Sequence, residues 1–193
     1  MRQTAAEIDH AILDVAAGIF ATYGFTHSSV QQIADAVGYS KPGLLHRFGS
    51  KEALHRAVLT EVSDTVQDIV GHAVAHSDQP DQVTQVLELM TLKALERPGM
   101  VQMMLRAFES DGDEPGVEAI QGLGYRLVDA LDHPLSSPAE RLRVVLAVKL
   151  IVTAAMTQHS KVDADLHVDR EELVPMIVSL AAHVLGASNG VPA

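Results

Sequence analysis

Apolar residues recur at intervals of three and four along most of the chain, which is the spacing of one face of an α-helix. The first such stripe runs from Ile8 to Phe20, and further stripes follow between Val83 and Leu185. Segments rich in glycine, proline and aspartate separate the stripes, as is typical of helix breaks. The pattern therefore predicts an all-α chain of about nine helices with no convincing strand.

Helix starts are marked by local capping signals. Thr4 and Glu7 form a capping box, in which each side chain can bond to the other's backbone N–H, and Ser137 with Glu140 repeats the pattern. The first helix is therefore expected to begin after Thr4, and a long helix ending near His159 is expected to begin after Ser137.

Two unusually short helices are predicted between the first helix and the long ones. Ser29 can cap a helix that ends at Gly38. Ser40 can cap a second helix, which has Pro42 in its first turn and ends at Gly49. Short helices that meet at a glycine-containing turn and pack against a longer helix form a helix-turn-helix, whose second helix can enter the major groove of DNA.

The distribution of charge matters more than its sum. The 193 residues carry a formal net charge of −11, which by itself argues against nucleic acid as a partner. Residues 1–56 contain five Lys/Arg and five Asp/Glu, so the whole excess of negative charge lies in residues 57–193. The region that contains the predicted helix-turn-helix therefore has no net negative charge.

Cysteine usage and hydropathy indicate the compartment. The chain has no cysteine, which excludes a disulfide framework and any thiolate metal site. Its first residues lack the apolar core of a secretion signal. The most apolar stretch, Val144 to Met156, is interrupted by Lys149 and is shorter than the roughly 20 residues that span a bilayer. We expect a soluble cytoplasmic protein that does not enter the membrane.

Other chemistries have weaker support. His72 and His76 have the spacing of a zinc-binding pair, but neither a third ligand nor an HExxH glutamate accompanies them. Residues 163–169 resemble part of a calcium loop without its glycine and final glutamate. We therefore expect no cofactor, no metal and no enzymatic activity. The alternative is a helical ligand-binding or metal-binding protein that does not regulate through DNA.

Residues 33–54, IADAVGYSKPGLLHRFGSKEAL, together with FATYGF at residues 20–25, resemble the N-terminal signature of the TetR family of transcriptional regulators. The resemblance covers about the first 55 residues. It implies a helix-turn-helix DNA-binding domain in residues 1–50 and an effector-binding and dimerisation domain in residues 51–193. It also implies a regulator that, as a homodimer, binds a palindromic operator and, in the usual mode of the family, represses until a small-molecule effector releases it.

The resemblance further implies which residues meet DNA. Ser29 would hold a phosphate unless it only caps its helix, Gln31 would reach a base edge, and Lys51 would grip the backbone. Arg47 would either fork onto a guanine or clamp a phosphate. Leu45 departs from the family, since most members have a tyrosine there. The full set of DNA-binding candidates is Ser29, Gln31, Lys41, Pro42, Gly43, Leu45, His46, Arg47 and Lys51.

An effector pocket and a dimer interface are also implied. Methionine adapts to irregular apolar ligands, although such residues are more often plain core. The pocket candidates are Met100, Met103, Met104, Phe108, Tyr125, Met156 and His159. The last two helices would pair with those of a second copy as a four-helix bundle. The interface candidates are Leu142, Val145, Leu146, Ile177, Leu180 and Val184.

Overall fold

The computed structural model describes residues 4–109, 117–130, 137–159 and 166–186, and within these ranges the chain forms nine α-helices and no strand. The all-α prediction is therefore confirmed. None of these helices combines the length and apolar character needed to cross a membrane. The helices are α1 (Ala5–His27), α2 (Val30–Val37), α3 (Lys41–Phe48), α4 (Lys51–Ala75), α5 (Gln82–Glu96), α6 (Pro98–Glu109), α7 (Val117–Ala130), α8 (Pro138–His159) and α9 (Arg170–Leu185).

Both capping boxes form as predicted. At the start of α1 the backbone N–H of Glu7 donates to Thr4 Oγ1 at 3.2 Å, and Thr4 N–H donates to Glu7 Oε2 at 2.7 Å. At the start of α8 the backbone N–H of Glu140 donates to Ser137 Oγ at 3.3 Å, and Ser137 N–H donates to Glu140 Oε2 at 2.9 Å. Each box satisfies backbone donors that the first helical turn leaves without partners.

Glycines end the two short helices where the sequence predicts. Gly38 follows α2 with φ 73°, and Gly49 follows α3 with φ 84°, a region of backbone conformation that favours glycine. The helix α1 extends to His27, with a non-helical residue at Gly24. The lengths of α2 and α3 are thus fixed by local chemistry.

The described residues fall into two compact units. The first lies within Met1–Asp64 and Gly99–Gln121, and the second within Thr65–Pro98 and Gly122–Ala193. The first unit therefore contains α1 to α3, most of α6 and the beginning of α7 as well as the start of α4. The functional division at residue 50 stays a prediction.

The core of the first unit draws at least one large, fully buried side chain from each of its six helical segments. Among them are Phe20 of α1, Ile33 of α2, Leu44 of α3, Leu54 of α4, Met103 of α6 and Ile120 of α7. The helix-turn-helix thus shares its apolar core with helices that follow it by more than 50 residues in the sequence.

The helix α6 is docked closely on α1. Gly99 lies against the backbone of α1, where a Cβ atom would meet Asp14 and Gly18. Hydrogen bonds run from α6 to α1, from Met100 N to Asp14 Oδ1 (3.0 Å), from Gln102 Nε2 to Thr22 Oγ1 (3.3 Å) and from Arg106 Nη1 to the carbonyl oxygen of Ala21 (3.2 Å). The Asp14 carboxylate thereby accepts a backbone N–H from the first turn of α6.

The second unit is built on packing among α5, α8 and α9. Each of these helices contributes apolar side chains to the interior, such as Leu87 of α5, Ile151 of α8 and Ile177 of α9. Arg170 of α9 donates to Glu96 of α5 at 3.1 Å on the surface of the unit.

Candidate nucleic-acid interface

The helix α3 is held by its inner face and exposes its outer one. Ser40 caps it by accepting the backbone N–H of Gly43 at 3.1 Å. Leu44 is the buried residue of this helix, with 1% of its surface exposed, while Leu45 and Phe48 are half-buried. Lys41–Phe48 therefore form an amphipathic helix.

Small and polar side chains cover the outer face of α3. Lys41, Pro42 and His46 are exposed, and Gly43 lies between them. A Cβ atom at Gly43 would come within 3.1 Å of Ser40 Oγ, so a larger residue there would press on the helix cap. This surface can approach a DNA groove closely, with Lys41 supplying positive charge.

Tyr39 belongs to the same surface and was missing from the sequence prediction. Its side chain is 36% exposed, and its ring lies 3.9 Å from the position that a Gly43 Cβ would occupy. The signal that points to it is an aromatic residue directly before the capping serine. Its phenolic hydroxyl can donate to a phosphate, which Leu45 cannot do.

Ser29 and Gln31 lie at the exposed start of α2. Gln32 N–H donates to Ser29 Oγ at 3.1 Å, and Ser29 N–H donates to Gln32 Oε1 at 2.8 Å, so Ser29 completes a third capping box. Its hydroxyl proton can still be donated. Gln31 Nε2 donates to Asp35 Oδ1 at 2.6 Å, one turn further along the helix.

Arg47 does not project outward as the sequence reading expected. Its Nε donates to the Asp9 carboxylate, and its Nη2 donates to the carbonyl oxygen of Ala5 at 2.8 Å, both in the first two turns of α1. The hydrogen bond to Asp9 raises the pKa of the Arg47 guanidinium above its ordinary value. The side chain is 28% exposed, and that of Asp9 is 40% exposed. Arg47 therefore joins α3 to α1.

Lys51 is also engaged inside the first unit. Its Nζ donates to the carbonyl oxygen of Ser28 at 2.6 Å and lies 4.5 Å from the centre of the Phe25 ring. A cation above an aromatic face is stabilised by the ring quadrupole. Lys51 thus links the start of α4 to the junction of α1 and α2, and two of its three protons remain for other acceptors.

The effector-pocket candidates are divided between the two units. Met100 and Met103 are buried, and Met104 partly buried, in the core of the first unit. In the second unit Tyr125 is 69% exposed, Met156 is 37% exposed, and His159 is exposed with its Nδ1 2.8 Å from the Ala155 carbonyl oxygen. The Phe108 side chain lies outside the described structure. The pocket stays a prediction.

Most of the dimer candidates form exposed apolar faces on α8 and α9. Leu142, Val145 and Leu146 are 57%, 48% and 46% exposed, and Leu180 is 50% exposed. Val184 is half-buried. Ile177 differs, because only 1% of its surface is exposed and it packs inside the second unit. Met176, which was not among the candidates, is 43% exposed on α9.

The histidine pair gives no further sign of a metal site. The rings of His72 and His76 stack with their centres 4.1 Å apart, and His76 Nδ1 lies 2.8 Å from the His72 carbonyl oxygen. Within the described ranges, no three histidine, aspartate or glutamate side chains gather where they could hold a metal ion. The calcium-like segment begins at residues 163–165, which lie outside those ranges.

Comparison with known proteins identifies a family for the N-terminal region. Residues 12–58 match the model of the bacterial regulatory proteins of the tetR family. The HTH-type transcriptional regulator RutR of Escherichia coli K12 is 46% identical over 54 residues, which are 28% of this chain and 26% of that protein. RutR of Shigella flexneri gives the same values. The chain thus matches about a quarter of the length of these curated relatives.

The fold extends the likeness to nearly the whole chain. A TetR-family transcriptional regulator from Bordetella parapertussis aligns with a TM-score of 0.63 at 22% identity, over 90% of this chain and 93% of that one. A TetR-like regulator from Rhodococcus sp. RHA1 aligns with a TM-score of 0.58 at 21% identity, over 97% of this chain and all of that one. At these identities the alignments establish a shared fold.

Proposed function

We propose that this chain is a transcriptional regulator of the TetR family, whose model its residues 12–58 match, and that it binds a palindromic DNA operator as a homodimer and represses transcription until a small-molecule effector releases it. The observation that carries the proposal is α3: a capped helix of eight residues with its inner face buried and Lys41, Pro42 and His46 exposed on its outer face. Such a helix has the dimensions and chemistry to enter a major groove.

Each exposed residue has a role in this proposal. Lys41 places a positive charge near a phosphate, which adds affinity that depends on salt but carries no sequence information. His46 can donate to or accept from base edges in the groove. Ser29, Gln31 and Tyr39 flank the same helix and supply hydroxyl and amide groups for backbone or base contacts. Pro42, Gly43 and Leu45 supply a close apolar surface.

Dimerisation has a physical motive. One short helix touches too few bases to distinguish an operator from the many competing sites of a genome, whereas two linked helices that read half-sites about 34–36 Å apart multiply the discrimination. The apolar faces of α8 and α9 are the surfaces proposed to join two copies. Covering Leu142, Leu146 and Leu180 in a bundle would remove their apolar area from water.

Release by an effector follows from the same geometry. A ligand that binds one arrangement of the dimer better than another shifts the population toward that arrangement. If the favoured arrangement spaces the two α3 helices differently from one turn of DNA, the dimer dissociates from its operator. The effector is proposed to bind among the residues after Lys51, where the pocket candidates lie.

The proposal is tested by an electrophoretic mobility shift with DNA that flanks the chain's own coding region, in competition with poly(dI–dC). A shift that survives excess competitor supports operator recognition. Lys41→Ala should flatten the dependence of log K on log salt by about 2 for the dimer, as expected for one lost phosphate contact in each subunit. The matched control is Lys93→Ala, because Lys93 lies on α5 in the second unit, 3.3 Å from Asp68. Equal slopes for the two variants would contradict the role of Lys41.

A further inference from the structure

We propose that Asp9 of α1 is a positioning residue for DNA recognition, which acts by holding Arg47 and thereby fixing the direction in which α3 is presented. This inference rests on the proposed function, since it assumes that α3 meets DNA. In this arrangement Arg47 supports α3, and the exposed residues of α3 contact the base edges.

The helix α3 needs a second point of support. It has eight residues, and Leu44 is the one that its packing buries fully. Phe48 is partly buried against the same core, but apolar contact is not directional, so the packing of these two side chains leaves α3 free to pivot about the line that joins them. Arg47 lies three residues after Leu44 and reaches α1, and its two hydrogen bonds restrict that pivot.

The two acceptors of the Arg47 hydrogen bonds lie on one face of α1. Ala5 and Asp9 are four residues apart, so the Ala5 carbonyl oxygen and the Asp9 carboxylate lie on the same side of the helix. A planar guanidinium presents its N–H donors in a fixed geometry. Two separate acceptors therefore fix the orientation of the Arg47 side chain as well as attract it.

The first turn of α1 is itself fixed in place. The capping box of Thr4 and Glu7 holds the turn that contains Ala5, through bonds of 3.2 Å and 2.7 Å. A chain of defined contacts therefore leads from the start of α1 through the Ala5 carbonyl and Asp9 to Arg47 and α3. For the guanidinium to reach a base edge it would have to leave both acceptors, which would also remove this support.

The contact can be tested without DNA. Asp9→Asn removes the negative charge and keeps the size of the side chain. The measurement is the NMR signal of the Arg47 Nε–Hε group, assigned by its loss in Arg47→Lys. In the wild-type chain this proton should exchange slowly with water, and in Asp9→Asn the signal should move toward those of exposed arginines and exchange faster. An unchanged signal would overturn the inference.

The consequence for DNA is tested with a double-mutant cycle of Asp9→Asn and Arg47→Gln. The probes are the DNA upstream of the coding region and poly(dI–dC). Asp9→Asn should weaken binding of the dimer to the upstream DNA by about 4- to 25-fold, because each subunit loses one partly exposed ion pair that contributes about two- to fivefold. It should change binding little when Arg47 is already Gln. Glu52→Gln, at the start of α4, controls for the loss of one negative charge.

The other outcomes separate the possible failures. An equal effect of Asp9→Asn in both backgrounds would show that Asp9 acts without Arg47 and would overturn the inference. Tighter binding confined to the wild-type background would mean that Asp9 competes with DNA for Arg47, which also overturns it. A wild-type chain that binds neither probe overturns the proposed function and the positioning role together, while the NMR result still decides whether Asp9 holds Arg47. Thermal unfolding followed by circular dichroism verifies that each variant folds.

Discussion

Replacing Gly99 by alanine should separate α6 from α1. The added Cβ would overlap the carbonyl oxygen of Asp14 and lie 2.9 Å from its carbonyl carbon and 3.0 Å from the backbone nitrogen of Gly18. All three are backbone atoms of a helix, so no flexible side chain can move aside. The two helices must therefore move apart.

The expected loss of stability is the balance of three effects. Inserting a methyl group into a close contact between helices destabilises by about 1–3 kcal/mol. The same movement stretches the 3.0 Å hydrogen bond from Met100 N–H to the Asp14 carboxylate, and hydrogen bonds to charged groups contribute about 1.5–3 kcal/mol. Alanine returns up to about 1 kcal/mol of helix propensity. We expect Gly99→Ala to lower the free energy of unfolding by about 2–4 kcal/mol.

Urea denaturation followed by circular dichroism measures this quantity. The matched control is Gly18→Ala, because Gly18 belongs to the same contact but its added Cβ would lie 3.5 Å from Gln102 Oε1 and 3.6 Å from Gly99 Cα, which are ordinary distances. The control should leave stability unchanged or raise it by up to about 1 kcal/mol. If Gly99→Ala were as stable as Gly18→Ala, the close approach of α6 to α1 would be refuted.

Three further predictions concern Lys51, Glu7 and the exposed apolar face of α8. Lys51→Met should lower the stability of the first unit by about 1 kcal/mol through loss of its carbonyl and ring contacts, in thermal unfolding without DNA; an unchanged melting temperature would argue against those contacts. The backbone hydrogen bond from Thr4 lowers the pKa of Glu7. The contribution of the Glu7 carboxylate to stability should therefore be present above the ordinary pKa of a glutamate and be lost as the pH falls through the lowered pKa. Glu7→Gln should remove this part of the pH dependence of the free energy of unfolding. Leu146→Glu should shift sedimentation equilibrium toward the monomer, whereas Val74→Glu, at an apolar residue of α4 that is 59% exposed, should not; equal masses for the two variants would place the interface elsewhere.

The helices could be predicted because their boundaries depend on neighbouring residues. Ser40 bonds to an N–H three residues away, and Gly49 ends α3 by its own backbone conformation, so both signals can be read locally. The family signature is local in the same sense. The helix α6 begins at Pro98, next to the break at Arg97, whereas the packing of Gly99 against α1 is a long-range contact that no local pattern reveals.

The direction of individual side chains could not be predicted in the same way. The partner of Arg47 is Asp9, which lies 38 residues earlier, and the partner of Lys51 lies 23 residues earlier. On α9 the apolar residues surround the helix, so the sequence alone does not decide that Ile177 faces the interior while Leu180 faces water. Methionines at helical spacing suit a core or a pocket equally, and Met100 and Met103 belong to a core.

The shared core of the first unit bears on how its helix-turn-helix could be moved to another protein. Grafting residues 1–50 onto the body of another protein would leave Met103 and Ile120 behind, although their side chains belong to the same buried cluster as Phe20, Ile33 and Leu44. The graft would then carry a void of about two large side chains, unless the recipient supplied equivalents at the matching depth. A chimera that keeps this core intact therefore has to transplant two separated stretches of the gene, because the unit that contains the helix-turn-helix is not encoded in one piece.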